Sequence, residues 1–311
     1  MKSKANPYIF IAKIIAVTLL IGYLVFKIVN EPILSTFKAL SIYTYTPLIT
    51  AVGLVFLNWG LEAKKWQLMI QPIQKISFLI AFKSVLSGLA SGLLTPNRLG
   101  NFFGRLIYLK KENHNQAIVN TQTGNLAQFI STILMGLIGV MVVLFLNFNL
   151  LNPILITVIS LAFLTVGFLL YFKPTLILKL PVKRFLSEKT LASLSHVSEF
   201  SLTFKLKILG LSLLRYFIFT LQYYLLFKLF QPVLSFNILS LISVTFLLTT
   251  IIPSFFFGKL FVRESVAVFV FTMGQFNTTL ILLIAFLLWM INLAIPAIIG
   301  SIFWLKQKQH V

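Results

Sequence analysis

Apolar and polar positions in this chain alternate on the scale of whole helices. Residues 8–29 form a first apolar run, preceded by Lys2 and Lys4 and interrupted by Lys13. Residues 47–61 form a second, ending in Glu62, Lys64 and Lys65. Residues 76–94 are apolar but rich in Gly and Ser (Ser84, Ser87, Gly88, Ser91, Gly92), and they stop at Thr95-Pro96. The run 117–146 has a polar first half, 153–172 is cleanly apolar, and 173–207 is basic and amphipathic. The runs 208–229, 238–252, 265–273 and 279–304 complete the set, with Pro253 to Glu264 between the two short ones. A helix needs about 20 apolar residues to span a bilayer, so the pattern predicts an all-α polytopic membrane protein. The first run is too long for a secretory signal peptide and lacks a small-x-small cleavage site before Asn30-Glu31-Pro32.

Lys and Arg positions add a topology. The connections 147–152, 231–237 and 274–278 carry no charge, whereas 62–75, 105–114, 173–207 and 305–311 are strongly basic. Basic loops stay in the cytoplasm, so both termini are expected there. Residues 62–75 and 98–114 then lie on one side, and 76–97 must dip in and return. By the same logic 238–273 dips in from the opposite face. The expectation is about six full transmembrane helices plus two oppositely oriented re-entrant helical hairpins, broken at Pro96 and Pro253. Non-helical backbone at membrane depth is tolerated where it lines a cavity, so a cavity between the hairpins is expected.

The two hairpins share a spacing. Pro96 is followed by Gly100 and then, five positions on, by Arg105; Pro253 is followed by Gly258 and, five positions on, by Arg263. The order span, hairpin, span occurs at about 47–146 and again at about 208–304, in opposite orientation. The reading is therefore a single integral membrane domain over 1–311, built as an inverted repeat, with 173–207 as a basic cytoplasmic interfacial segment. Inverted repeats with broken helices are a transporter architecture whose sites lie where the broken segments meet.

Composition narrows the chemistry. The chain is 59% hydrophobic and 10% charged, against about 45–50% and about 25% in soluble domains. Twenty-six Lys and Arg face six acids, all of them Glu, giving a net charge of +20. Without Cys or Asp, and with only His114, His196 and His310, no thiol nucleophile, Asp-based magnesium cluster or zinc site is expected. No cofactor or metal is expected, no catalytic motif occurs, and no ATP-binding motif occurs either. The charge follows the loops, so nucleic acid is not the expected partner.

Around the hairpins the sequence resembles the lysylphosphatidylglycerol synthase transmembrane region, also called the flippase-like domain. The residues that carry the likeness are Pro96, Arg98, Gly100, Arg105 and Lys110-Lys111, then Pro253, Gly258, Arg263 and Glu264. Family members usually carry an acid just after the first glycine, where this chain has Asn101, and more glycine in the second loop, where it has Phe255-Phe256-Phe257. The resemblance implies an inner-membrane protein handling anionic or aminoacylated lipid head groups. The sequence ends shortly past its last apolar run, so a stand-alone translocating portion is expected, without the soluble aminoacyl-transferase domain of the full synthases.

Guanidinium groups bind phosphate bidentately and stay charged when desolvated, and charge at bilayer depth usually marks function. The expected head-group ligands are Arg98, Arg105, Arg215, Lys259, Arg263 and Glu264. For the arginines the alternative is snorkelling to the interface; for Glu264 it is a structural ion pair. Thr121, Asn125, Gln128 and Thr132 form one stripe of the 117–146 helix and, with Gln222, are expected to line a polar path; the plain alternative is interhelical hydrogen bonding. The leading function is flippase-like translocation of an anionic phospholipid, aminoacylated phospholipid or polyprenyl-linked head group. The alternatives are a membrane transferase acting on a lipid phosphate, or an accessory subunit of a separate lipid-modifying enzyme.

Overall fold

A computed structural model describes residues 45–93, 95, 99–146, 152–179, 188–231, 237–252 and 258–307. The first apolar run, Pro96, Arg98 and Pro253 lie outside the described residues. Among the described residues the chain is helical, with no strand. In order the helices are α1 (Thr46–Ile70), α2 (Phe78–Leu93), α3 (Gly100–Leu106), α4 (His114–Phe145), α5 (Pro153–Phe172), α6 (Glu188–Ser198), α7 (Leu202–Phe230), α8 (Asn237–Ile251), α9 (Gly258–Met273), α10 (Thr278–Trp289) and α11 (Ile295–Lys306). Among the described residues, four continuous segments, Thr46–Ile70, Lys111–Phe145, Pro153–Phe172 and Thr278–Lys306, are long and apolar enough to cross a bilayer. Ile154 is 75% exposed and Val158 58% exposed on α5, which suits a surface solvated by acyl chains.

The second apolar run is not followed by a loop. α1 continues through Glu62, Lys64 and Lys65 to Ile70, and Glu62 and Lys65 are buried. Charges are tolerated on that helix because they are neutralised across it by other helices.

The basic stretch 173–207 is also not one interfacial helix. Pro174–Lys179 is a 3-10 turn, Glu188–Ser198 is a short helix, and residues from Leu202 onward already belong to α7. Leu194 and Val197 of α6 are buried with Val119 of α4, so part of the apolar face meets protein. Lys205 is buried too: its Nζ donates to the carbonyls of Phe172 (3.1 Å) and Ser198 (3.4 Å). Those are the last residues of α5 and α6, where a cation complements exposed carbonyls and the helix dipole.

Small residues let the short helices approach closely. α2 lies against α3, and a Cβ on Gly104 would run into the Ser87 carbonyl and the Ser91 hydroxyl. Ser91 Oγ donates to Gly100 O (2.6 Å), and Thr95 Oγ1 accepts from Gly100 N (2.6 Å). The longer packing exchanges partners between the two parts of the chain. α4, which follows the α2–α3 pair, lies along α8; α11, the end of the chain's last apolar segment, lies along α2. α1 and α7 pair with each other. Both exchanged contacts rest on glycine: Gly136 against Leu247, and Gly300 against the Leu86 backbone.

The last segment is not uniformly α-helical. Met290–Ala294 is a π turn between α10 and α11. Pro296 explains it, having no N–H to give the carbonyl four residues back and a ring that would press on it. The helix widens there, and the N–H of Ile295 bonds to Met290 O instead. Such π turns often occur at functional sites.

Candidate functional site: a buried charged cavity

Helical spacing puts Asn58, Glu62 and Lys65 on one face of α1, and Ser212, Arg215 and Phe219 on one face of α7. The two faces interlock. Arg215 Nε donates to Asn58 Oδ1 (2.9 Å), and its Nη1 reaches Glu62 Oε2 (2.5 Å) and Gln128 Oε1 (3.3 Å). Lys65 Nζ lies 2.9 Å from Glu62 Oε2 and 3.5 Å from Ser212 Oγ. The other carboxylate oxygen, Glu62 Oε1, accepts from Arg105 Nη2 at 2.9 Å. Arg105 is only 4% exposed, and its Nε is held by Asn101 Oδ1 at 2.9 Å.

One carboxylate therefore serves three cations, Lys65, Arg105 and Arg215. A buried ion pair is tolerable only when its remaining donors and acceptors are satisfied, and the amides of Asn58, Asn101 and Gln128 do this. The cluster keeps two positive charges in excess.

The excess faces a cavity of about 320 Å³ at the meeting of the two parts of the chain. α1, α2, α3 and α4 contribute Glu62, Leu89, Arg105 and Asn125; α7, α8, α9 and the π turn contribute Arg215, Phe246, Arg263 and Asn292. Asn292 Oδ1 accepts from Asn58 Nδ2 at 3.1 Å, so the π turn is bonded to α1. Arg215 also lies over the Phe219 ring, 5.6 Å from its centre, a cation–π arrangement. Trp59, 4% exposed on the cavity wall, has an indole N–H without a hydrogen-bond partner among the described residues.

The residues singled out from the sequence divide. Arg105, Arg215, Arg263 and Asn125 line the cavity. Gln128 braces it, donating to Ser212 O (3.1 Å) while accepting from Arg215. Gly100 and Gly258 each open the helix that carries a cavity arginine, α3 and α9. Arg263 Nη2 donates to Ala285 O at 3.1 Å.

Others lie elsewhere. Glu264 borders a separate hollow with Ser265, Val268, Phe269 and Leu282, because one residue along α9 turns the side chain about 100° away. Three residues expected to line the polar path are turned to helix contacts instead. Thr121 accepts from Trp66 Nε1 (3.2 Å), Thr132 bonds back to Gln128 O (2.9 Å), and Gln222 donates to Ala51 O (2.9 Å). Lys259 lies in the first turn of α9, and its side chain is outside what the structure describes. Sequence reasoning missed Glu62, Asn58, Trp59 and Asn292.

Apolar helices around a buried, positively charged cavity define a multi-pass helical membrane protein. The chain belongs to the lysylphosphatidylglycerol synthase TM region family, whose model matches residues 10–300. Membership associates it with lipid modification or flipping, and makes lipid substrates plausible. No curated protein and no solved structure matches the chain.

Proposed function

We propose that this protein translocates a phospholipid or lipid-linked anionic head group across the cytoplasmic membrane, holding the phosphate in the cavity between Arg105, Arg215 and Arg263. The observation that carries this reading is the cavity's charge: among the described residues, three arginines line it against one carboxylate. Excess buried positive charge is costly, and a phosphodiester entering the cavity removes the cost with charge-assisted hydrogen bonds. The acyl chains remain among the lipid-exposed helices while the head group passes through.

In this reading the α2–α3 and α8–α9 pairs are the two re-entrant hairpins of an inverted repeat, and both termini face the cytoplasm. Support comes from the exchanged packing of α4 with α8 and α11 with α2, and from the matched Gly-to-Arg spacing that brings Arg105 and Arg263 to one cavity.

The test is reconstitution in liposomes with labelled anionic and aminoacylated lipids. Flipping is expected with wild-type protein and is lost in Arg105→Ala and Arg263→Ala. Flipping that survives both substitutions removes the proposed site; equal rates with and without protein remove the transport reading. A cysteine at Asn149 is expected to label from outside only, since the chain has no other thiol.

A further inference from the structure

A second hollow, of about 520 Å³, lies between α4, α7 and α8. Its rim is apolar and exposed: Ile138 and Val142 on α4 and Leu221 on α7 are 47%, 39% and 43% exposed. Three hydroxyls on its floor are satisfied by protein partners, and Thr220 Oγ1 is buried there without a hydrogen-bond partner among the described residues. Tyr216 Oη donates to Ser243 Oγ (2.9 Å), Ser243 Oγ to Leu239 O (2.9 Å), and Ser240 Oγ to Asn237 O (2.6 Å). An occupant without polar atoms leaves those three bonds intact, and the size suits a small-molecule site of about 300–1,000 Å³.

The groove adjoins the charged cavity. On α7, Arg215 and Phe219 line the cavity while the next residues, Tyr216 and Thr220, line the groove. On α8, Phe246 lines the cavity and packs edge-on against Tyr216, ring centres 5.8 Å apart. The Tyr216–Phe246 pair thus stands where the charged and apolar spaces adjoin. A phospholipid has the same division, a phosphate joined to apolar tails.

We propose that the groove is an acyl-chain site, holding one tail of the lipid whose phosphate occupies the central cavity, so that a phospholipid is gripped at both ends across the Tyr216–Phe246 pair. The inference rests on the head-group reading above, but its test does not depend on transport.

The experiment uses the full chain in nanodiscs with two probes. One is an anionic phospholipid carrying a photoactivatable diazirine on one acyl chain; the other is the matching diacylglycerol, which lacks the phosphate. The phospholipid is expected to label peptides containing Ile138 and Leu221 about ten-fold more than the diacylglycerol, the ratio of a real phosphate anchor. Filling the groove with Ile138→Trp or Leu221→Trp is expected to cut that labelling about five-fold, the scale of one lost apolar contact set. Both positions are on the exposed rim, so neither variant removes a fully buried side chain. The thermal shift given by inorganic phosphate is expected to remain in both, since the cavity is untouched.

Equal labelling by the two probes in wild type overturns the proposal, because the groove then holds only bulk lipid; that comparison needs no variant. Labelling unchanged by both tryptophans also overturns it. A dimer in native mass spectrometry that Ile138→Trp dissolves puts a second copy of the chain in the groove and overturns it as well. Selective labelling that persists in Arg215→Ala breaks the link between the two ends. Selective labelling without flipping in liposomes leaves the groove standing and removes only the transport reading.

Discussion

The two halves of the chain meet the cavity with different chemistry. Residues up to α4 bring the carboxylate, Glu62, together with Asn58, Asn101, Asn125 and, among the described residues, a single lining arginine, Arg105. Residues from α7 onward bring Arg215 and Arg263, the rings of Phe219, Phe246 and Trp289, and, among the described residues, no acid to the cavity wall. The first half holds its own arginine between Glu62 and Asn101. The second half's Arg215 is held by the first half, through Glu62, Asn58 and Gln128. The difference shows that one ion pair at the cavity, Arg215 with Glu62, is also a contact between the halves. If the proposed anion binds there, it competes for the groups that Arg215 and Glu62 offer each other.

Removing the shared acid is the largest test of that asymmetry. Glu62→Ala leaves Lys65, Arg105 and Arg215 buried without their carboxylate, a change expected to cost about 3–5 kcal/mol and to lower the unfolding midpoint of the detergent-solubilised protein sharply. Glu62→Gln keeps the shape and isolates the charge. In that variant inorganic phosphate is expected to raise the midpoint more than in wild type, since a bound anion replaces the missing charge. An equal rise in both proteins means that the cavity does not take up anions at the carboxylate's place.

The two arginines should then separate. Arg215→Ala breaks contacts between halves and strands the Asn58, Glu62 and Gln128 acceptors, at about 3 kcal/mol. Arg105→Ala breaks contacts within one half and leaves Glu62 with Lys65 and Arg215, so the loss is expected to be smaller, about 1–2 kcal/mol. Both are expected to abolish flipping. Arg215→Lys is expected to keep part of the stability while losing the fork that reaches Asn58 and Glu62 together. If Arg105→Ala is the more destabilising, the cross-half role belongs to α3 and not to α7.

The asymmetry also explains what could be read from the chain. Arg105 and Arg263 stood out because each follows a glycine at the same spacing within apolar surroundings, and Arg215 because it interrupts an apolar run. The helical character and the short paired segments followed from run length. Glu62 was hidden because it ends an apolar run beside Lys64 and Lys65, which reads as the start of a basic loop. Only its partners on α3 and α7, far away in sequence, make it an interior residue. A signal was present in Asn58, Glu62 and Lys65, whose spacing of four and three puts three polar groups on one helical face. Asn292 is the one amide in the apolar run 279–304, and Pro296, four residues on, accounts for the widened turn that brings it to the cavity. For Thr121, Thr132 and Gln222 the structure shows the plainer of the two expectations, helix contacts, because a polar stripe meets neighbouring helices and a cavity with equal ease.

The smallest test concerns the amide pair between the halves, Asn58 with Asn292. Interhelical hydrogen bonds in membrane proteins couple by about 0.6 kcal/mol on average, because the separated helices find other partners. A double-mutant cycle of Asn58→Ala and Asn292→Ala is expected to give a coupling of that size, with each single change costing about 1 kcal/mol. Asn58 also accepts from Arg215, so Asn58→Ala is expected to be the more harmful single change, and adding Arg215→Ala to it should cost less than Arg215→Ala alone. Asn292 bonds additionally to Leu288 O (3.2 Å) within its own segment, so its loss is partly local. A coupling near zero between the two amides, with Arg215 still coupled to Asn58, assigns the cross-half contact to the charged cluster alone and leaves the π turn to shape the cavity wall.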